Sequence, residues 1–400
     1  MGSTTNNTEN RAFLVLCVVG AFAILSSTMS KNPVLKPFAD SLETPNELLG
    51  LVASASTIPG ILVGLPAGAL SDIFGRRKVL LASALVFASA PFLYLFITSW
   101  WQLALVRFYH GFATAMFVPV ANASIAVKFP KKRGERISLF SSATVVGRTT
   151  APFLGGFILY TTNYGYQSLY LAVGVAGFSA FITAILFMER DWRSIEETKT
   201  AGKVVLRTMR GWREVVQRNG IIATGMIEAA QYYAYGTVEF FLVGYLKEIA
   251  NLDPFLIGIV MAGQLAIVPI AKPFMGRLSD KVGRSPPIVL GSIMSAISLA
   301  AIPLTTHFSV LLLILIVYGV GFSFVTSSTP ALASELVEKE YTGTAMGFLS
   351  TVMDVGQTLG PIVSGLILAA TLTYFSVFAS LSVILLTSCL LVLLVSQKRV

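Results

Sequence analysis

The feature that most limits this chain is a succession of twelve predominantly apolar runs, each long enough to cross a bilayer as a helix, with polar residues between them. The runs lie at about 12–39, 46–71, 78–97, 100–127, 137–160, 167–188, 220–248, 254–278, 286–305, 308–334, 343–368 and 373–396. No water reaches backbone N–H and C=O groups inside a bilayer, so each run has to close its hydrogen bonds within itself. The fold class that follows is an all-α integral membrane protein. Composition agrees: 54% of the 400 residues are apolar and 12% charged, and the mean hydropathy is +0.75. A net charge of +9 would direct a polar chain towards nucleic acid, but here Lys and Arg fall between the runs. Membrane topology accounts for them, and no nucleic-acid partner is expected.

Cysteine and histidine exclude other chemistry. Cys17 and Cys389 sit inside apolar runs and the two histidines are His110 and His307, so neither a disulfide framework nor a metal cluster is expected. The nucleotide-binding G-x-x-x-x-G-K-[ST], the zinc-binding H-E-x-x-H and the nucleophile-bearing G-x-S-x-G are all missing from the sequence. The chain is not expected to be an enzyme or to need a cofactor. The first ten residues lack a basic n-region, so the first run is read as a span and not as a removable signal.

An even number of spans puts both termini on one side. Placing them in the cytoplasm leaves 23 of the 29 Lys and Arg residues in cytoplasmic segments, as the positive-inside rule requires. The expected organisation is a cytoplasmic tail (1–10), a six-helix bundle (11–188), a cytoplasmic linker (189–219), a second six-helix bundle (220–396) and a short cytoplasmic tail (397–400), in the cell (inner) membrane. Within the linker, apolar residues from Val204 to Val216 recur at spacings near three and four, the pattern of an amphipathic helix lying on the inner membrane face.

The two bundles repeat one another. Gly68-Ala-Leu-Ser-Asp72-Ile-Phe-Gly75-Arg76 returns 208 residues later as Gly276-Arg-Leu-Ser-Asp280-Lys-Val-Gly283-Arg284, and the same shift takes Gly50 to Gly258 and Gly111 to Gly319. Gly147 meets Gly356 after one further residue. Such a layout matches transporters in which substrate binds at the midplane between two halves.

Gly68 to Leu81 resembles the loop signature of the major facilitator superfamily, at its usual place between the second and third spans. Leu103 to Gly111, with Arg107, resembles the fourth-span motif. The run Gly147-Arg-Thr-Thr-Ala151-Pro152-Phe-Leu-Gly155-Gly156 resembles the fifth-span motif of the family's exporters and antiporters. Ile73, His110 and Ala151 depart from those patterns. The resemblance implies the superfamily's twelve-helix fold, and a conformational latch at Gly68, Asp72, Gly75, Arg76 and Arg77, with a weaker counterpart at Gly276, Asp280, Gly283 and Arg284. It also implies an exporter-type helix face at Gly147, Ala151, Pro152, Gly155 and Gly156, matched by Gly356, Gly360 and Pro361; ordinary close helix packing would use the same small residues.

Ionisable residues inside spans are costly and mark function by default. Arg107, His110, Arg148, Glu228 and Asp354 are candidates for proton coupling or a substrate cavity, with Arg148 and Asp354 the most central. Tyr232 and Tyr235 join Glu228 on the seventh span, where aromatic rings suit a broad, amphipathic or cationic substrate but would equally form an interfacial belt. Lys31 and Glu239 occupy equivalent repeat positions with opposite charge and are candidates for an outer gate, unless Lys31 snorkels and Glu239 is solvated. The expected function is proton-coupled export of small organic, drug-like compounds by alternating access, by a protein working as a monomer with small-molecule substrate, protons and lipid as its partners. A sugar or organic-anion symporter or facilitator on the same fold is the first alternative; a non-transporting membrane sensor or receptor is the second.

Overall fold

The structure, a computed structural model, describes residues 2–63, 71, 75–130, 132–188, 215, 217–338 and 341–397. Helices dominate, and no strand occurs among the described residues. In chain order they are α1 (Gly2–Met29), α2 (Leu35–Ser41), α3 (Asn46–Ser54), α4 (Arg76–Leu93), α5 (Trp100–Lys128), α6 (Arg133–Thr161), α7 (Tyr166–Phe187), α8 (Asn219–Glu248), α9 (Pro254–Val282), α10 (Ser285–Ala301), α11 (Phe308–Glu335), α12 (Thr342–Thr371) and α13 (Tyr374–Gln397). Among the described residues, nine helical stretches are long and apolar enough to cross a membrane. The 29 residues of α6 and 30 of α8 are as long but more polar, carrying Arg148 in one and Glu228, Gln231 and Glu239 in the other. The fold is the expected all-α membrane architecture of twelve spans.

Two spans are interrupted, the first at the Lys31-Asn32-Pro33 break that the sequence suggests and the second at a turn that it does not. The first, expected from 12 to 39, stops at Met29 and restarts at Leu35; Pro33 has no N–H to give to a helical ladder. The second stops at Ser54, turns at 55–57 and resumes as helix at 58–63. Pro59 explains the turn, because its ring would collide with the carbonyl four residues earlier in an unbroken helix. The expected amphipathic helix of the linker lies outside the described residues, apart from its last few positions.

The chain divides into two compact units, residues 1–44 with 55–199, and residues 45–54 with 200–400. In the first, α1 packs on α6 and α7, and α4 packs on α5 and α7. In the second, α8 packs on α12 and α13, α10 packs on α11 and α13, α9 packs on α11, and α3 lies along α12. The four helix pairs of the first unit thus recur in the second at the repeat-equivalent positions. The core of the first unit gathers Leu16, Leu80, Phe87, Phe117 and Phe140.

Three glycine pairs show the repeat at atomic scale. Gly75 and Gly283 have φ of 89° and 88°, a region that residues with a Cβ rarely adopt, and each ends the loop signature of its half. A Cβ on Gly147 would fall on the carbonyl oxygen of Ala21 in α1, and a Cβ on Gly356 on that of Ala229 in α8. Gly111 lies against Ser56 O, and Gly319 against the Ile267 side chain and Gln264 O.

Candidate functional site

In the first unit, the turn at 55–57 takes Ser56 out of the helical ladder and points it at α5. Arg107 of α5, 1% exposed, donates from Nη2 to Ser56 Oγ at 2.7 Å. One helical turn further, His110 is buried, with Nδ1 3.4 Å from the Tyr94 hydroxyl, while Nε2 has no hydrogen-bond partner. Tyr94 stacks flat on Tyr170, with ring centroids 4.2 Å apart and planes 2° apart. Between these groups lies a small polar cavity lined by Ser27, Ser30, Lys31, Ser56, Tyr94, Arg107, His110, Gly111 and Thr114. Two cations and several hydroxyls therefore share one recess, and Lys31, expected at an outer gate, lines it.

In the second unit, Glu228 of α8 is 4% exposed and accepts a hydrogen bond from Thr329 Oγ1 of α11; the charge of Lys272 on α9 also acts on it. Next along α8, Gln231 donates to Ser292 Oγ at 3.4 Å. Tyr232 and Tyr235 then form an aromatic group with Phe322, at centroid distances of 5.3 Å and 5.2 Å. Glu239 accepts from Tyr235 Oη and from Gln357 Nε2, both at 3.2 Å. The seventh-span candidates thus form a continuous polar and aromatic line. Asp354 sits half-buried near the middle of α12, whereas Arg148, near the middle of α6, is exposed.

The loop signatures are described unequally. Gly68 and Asp72 lie outside the described residues. Arg77 donates from Nε to the Met188 carbonyl at 3.2 Å, fastening the start of α4 to the end of α7. In the second unit, Arg284 bridges Asp280 at 2.5 Å and Glu335 at 2.8 Å, tying the end of α9 to the end of α11. Those two carboxylates hold the Arg284 guanidinium above its ordinary pKa.

The small-residue faces point inward within their own units. Gly147 meets α1, Gly155 lies against Asn32 and Pro33, Gly356 and Gly360 meet α8, and Ala151, Pro152, Gly156 and Pro361 are buried. Gly147 thus forms a tight seam with α1, and Gly356 and Gly360 form one with α8.

Several residues of this setting were not singled out in the sequence: Ser56, Tyr94, Thr114, Ser292, Thr329 and Gln357. All are neutral and dispersed through apolar runs. One signal was available, since Ser56 and Gln264 are polar residues at the same repeat position.

Comparison with known proteins fits this geometry. The chain matches the Major Facilitator Superfamily over residues 16–242 and again over 226–399, one match for each half. It is 26% identical over 376 residues to the multi-drug resistance efflux pump PmrA of Streptococcus pneumoniae, covering 93% of this chain and 92% of that one. It is 25% identical to an uncharacterized MFS-type transporter of Methanocaldococcus jannaschii, covering 83% and 85%. It is 26% identical to the multidrug resistance protein MdtG of Proteus mirabilis, covering 78% and 76%. Among solved structures, a bacterial homolog of the human lysosomal transporter Spinster has the same fold, with a TM-score of 0.79 at 15% identity over 97% of this chain and 95% of that one. With each half matching separately, and four helix pairs recurring from unit to unit, the chain belongs to the Major Facilitator Superfamily, as a multi-pass membrane transporter of small molecules and not an enzyme.

Proposed function

We propose that the protein is a proton-coupled exporter of small organic, drug-like compounds, working by alternating access in the cell membrane with both termini in the cytoplasm. The observation that carries the reading is the Glu228 carboxyl, buried in a membrane helix between a hydroxyl donor and a lysine charge. A carboxyl in such a setting is inexpensive when protonated, and needs the Thr329 hydroxyl and the nearby cation when ionised. It is therefore equipped to exist in both forms. The wall of Tyr232, Tyr235 and Phe322 gives broad apolar contact with a few polar tips, which fits lipophilic compounds, cations among them. Relatives named as a multi-drug resistance efflux pump and as a multidrug resistance protein support the same substrate class.

The test is transport in proteoliposomes under an imposed pH gradient. Glu228→Gln, Glu239→Gln and Asp354→Asn are compared singly, each also in counterflow exchange. At least one amide variant should lose gradient-driven flux and retain exchange. Survival of gradient-driven flux in all three overturns the proposal that one of these acids is an essential proton carrier. A panel of lipophilic cations and neutral compounds, screened for thermal stabilisation of the purified protein, defines the substrate.

A further inference from the structure

We propose that the basic cluster around the start of α6 is a headgroup site for an anionic phospholipid. The site lies within the first unit and rests on the membrane-spanning fold; only its assignment to the cytoplasmic leaflet rests on the orientation proposed above.

Charge is the first argument. Between positions 128 and 136 stand five basic residues, Lys128, Lys131, Lys132, Arg133 and Arg136, against one acid, Glu135. Lys132 precedes the first turn of α6 and Arg133 opens it; both are exposed, as is Arg11 of α1. Among the described residues, no carboxylate pairs with Arg11, Lys132, Arg133 or Arg136. Lys132 and Arg136 are four residues apart on one helical face and repel each other, and the positive end of the helix dipole adds to that cost. An anion bound from outside the chain relieves both.

The cluster is also fixed to the body of the unit. Arg136 donates from Nη2 to Asn10 Oδ1 at 2.7 Å. Its guanidinium carbon lies 4.7 Å from the centre of the Phe13 ring and 5.0 Å from that of Phe129. These contacts draw together α1, the end of α5 and the start of α6, so the cations of α1 and α6 stand at one end of the unit.

What lies below the cations selects a lipid. From Lys132, every seventh residue of α6 is exposed and apolar in body: Leu139, Val146, Phe153 and Tyr160. The apolar run of this span begins at about 137, which puts the cations at headgroup depth and the stripe at the depth of acyl chains. A phospholipid offers a phosphate to the first and a chain to the second. A soluble phosphate offers only the charge.

The repeat supplies the last argument. The corresponding turn of the second unit, 335–344, carries Glu335, Glu338 and Glu340 with one basic residue, Lys339. Glu335 and Glu338 face that unit's own Arg284 and Arg218. The repeated scaffold therefore does not require a basic turn here, and a topological bias towards positive charge acts on both turns alike.

The experiment titrates dioleoyl-phosphatidylglycerol into the purified full-length protein in a neutral detergent at about 0.15 M salt and follows thermal unfolding. A saturable rise in Tm is expected, as for any ligand of the folded state. Dioleoyl-phosphatidylcholine, with the same chains and a neutral headgroup, should give no such rise. Lys132→Gln combined with Arg133→Gln alters exposed side chains only and should weaken the apparent affinity about tenfold or more. Arg277→Gln combined with Lys281→Gln removes the same charge from exposed positions at the end of α9 and should leave the affinity unchanged. An equal rise with phosphatidylcholine overturns the proposal, as does undiminished affinity in the folded Lys132 and Arg133 variant. An equal loss in the Arg277 and Lys281 variant overturns it too, because net charge and not this cluster would then govern binding. Glycerol 3-phosphate matching the lipid at the same concentration reassigns the cluster to a soluble anion and overturns the lipid site.

Discussion

Hydrogen bonds to single side chains set what each residue can be exchanged for. Thr329 donates to a carboxyl buried in α8, so Thr329→Val leaves that carboxyl short of a donor at nearly constant shape. Such losses cost about 1–3 kcal/mol. Thermal unfolding in detergent should show a clear drop for Thr329→Val and a much smaller one for Thr329→Ser, which keeps the donor. Glycines divide in the same way. A Cβ at Gly147 falls on a backbone oxygen of α1 that cannot swing aside, whereas one at Gly276, within the last two turns of α9, meets nothing within 4 Å among the described residues. Gly147→Ala should therefore destabilise the protein by about 1–3 kcal/mol, as overpacking does. Gly276→Ala should be neutral or stabilising by up to about 1 kcal/mol, through lower chain entropy in the unfolded state. A Gly147→Ala protein as stable as the unaltered one would refute the close seam.

Packing between elements is where the ion network of the second unit acts. Arg284 reaches Asp280 on its own side and Glu335 at the end of α11, yet Asp280 is 66% and Glu335 46% exposed. Water screens such pairs, so their contribution is about 1 kcal/mol or less. Arg284→Gln should leave global unfolding nearly unchanged while loosening the joint locally. Hydrogen exchange should quicken at the ends of α9 and α11; unchanged exchange there would show that the network holds nothing. At this scale the sequence was highly legible where hydropathy decides, because a lipid environment forces each apolar run to be a helix whatever its neighbours. The ends of α5, α8 and α11 fall within a residue or two of expectation. Legibility failed at the 55–57 turn: Pro59 sits inside an apolar run, and nothing in composition separates a proline that breaks a span from Pro91 or Pro152, which stand inside continuous helices. The polar cavity was lost with it, because Ser56 reaches Arg107 only once the helix is broken. Charged site residues were visible, and their neutral partners were not.

For the whole molecule, the repeat was readable in full because glycines recorded it. Where backbones touch, no other residue fits, so the sequence preserves the contact. The loop signature carries a prediction at this scale. The resemblance assigns Asp72 to conformational balance, and its repeat partner Asp280 is held by an arginine at the mouth of a helix pair. Asp72→Asn should cut transport strongly and leave equilibrium ligand affinity close to that of the unaltered protein, with accessibility labelling reporting a changed balance of states. A large loss of affinity with an unchanged labelling pattern would place Asp72 in the binding site instead.

The twin seams at Gly147 and Gly356 also speak of descent. A gene that doubled in tandem passed on two copies of one scaffold, and the positions with no freedom to drift, a glycine pressed on a carbonyl in each copy, still read alike. Elsewhere the copies have parted: Arg107 stands against Leu315, His110 against Tyr318 and Lys31 against Glu239. One heir kept or acquired cations around a small polar recess, and the other filled the same place with rings and set carboxyls beside it. Redundancy in the frame gave each half licence to specialise, so selection for new cargo in such a protein has two separate sets of side chains to work on without disturbing the seams.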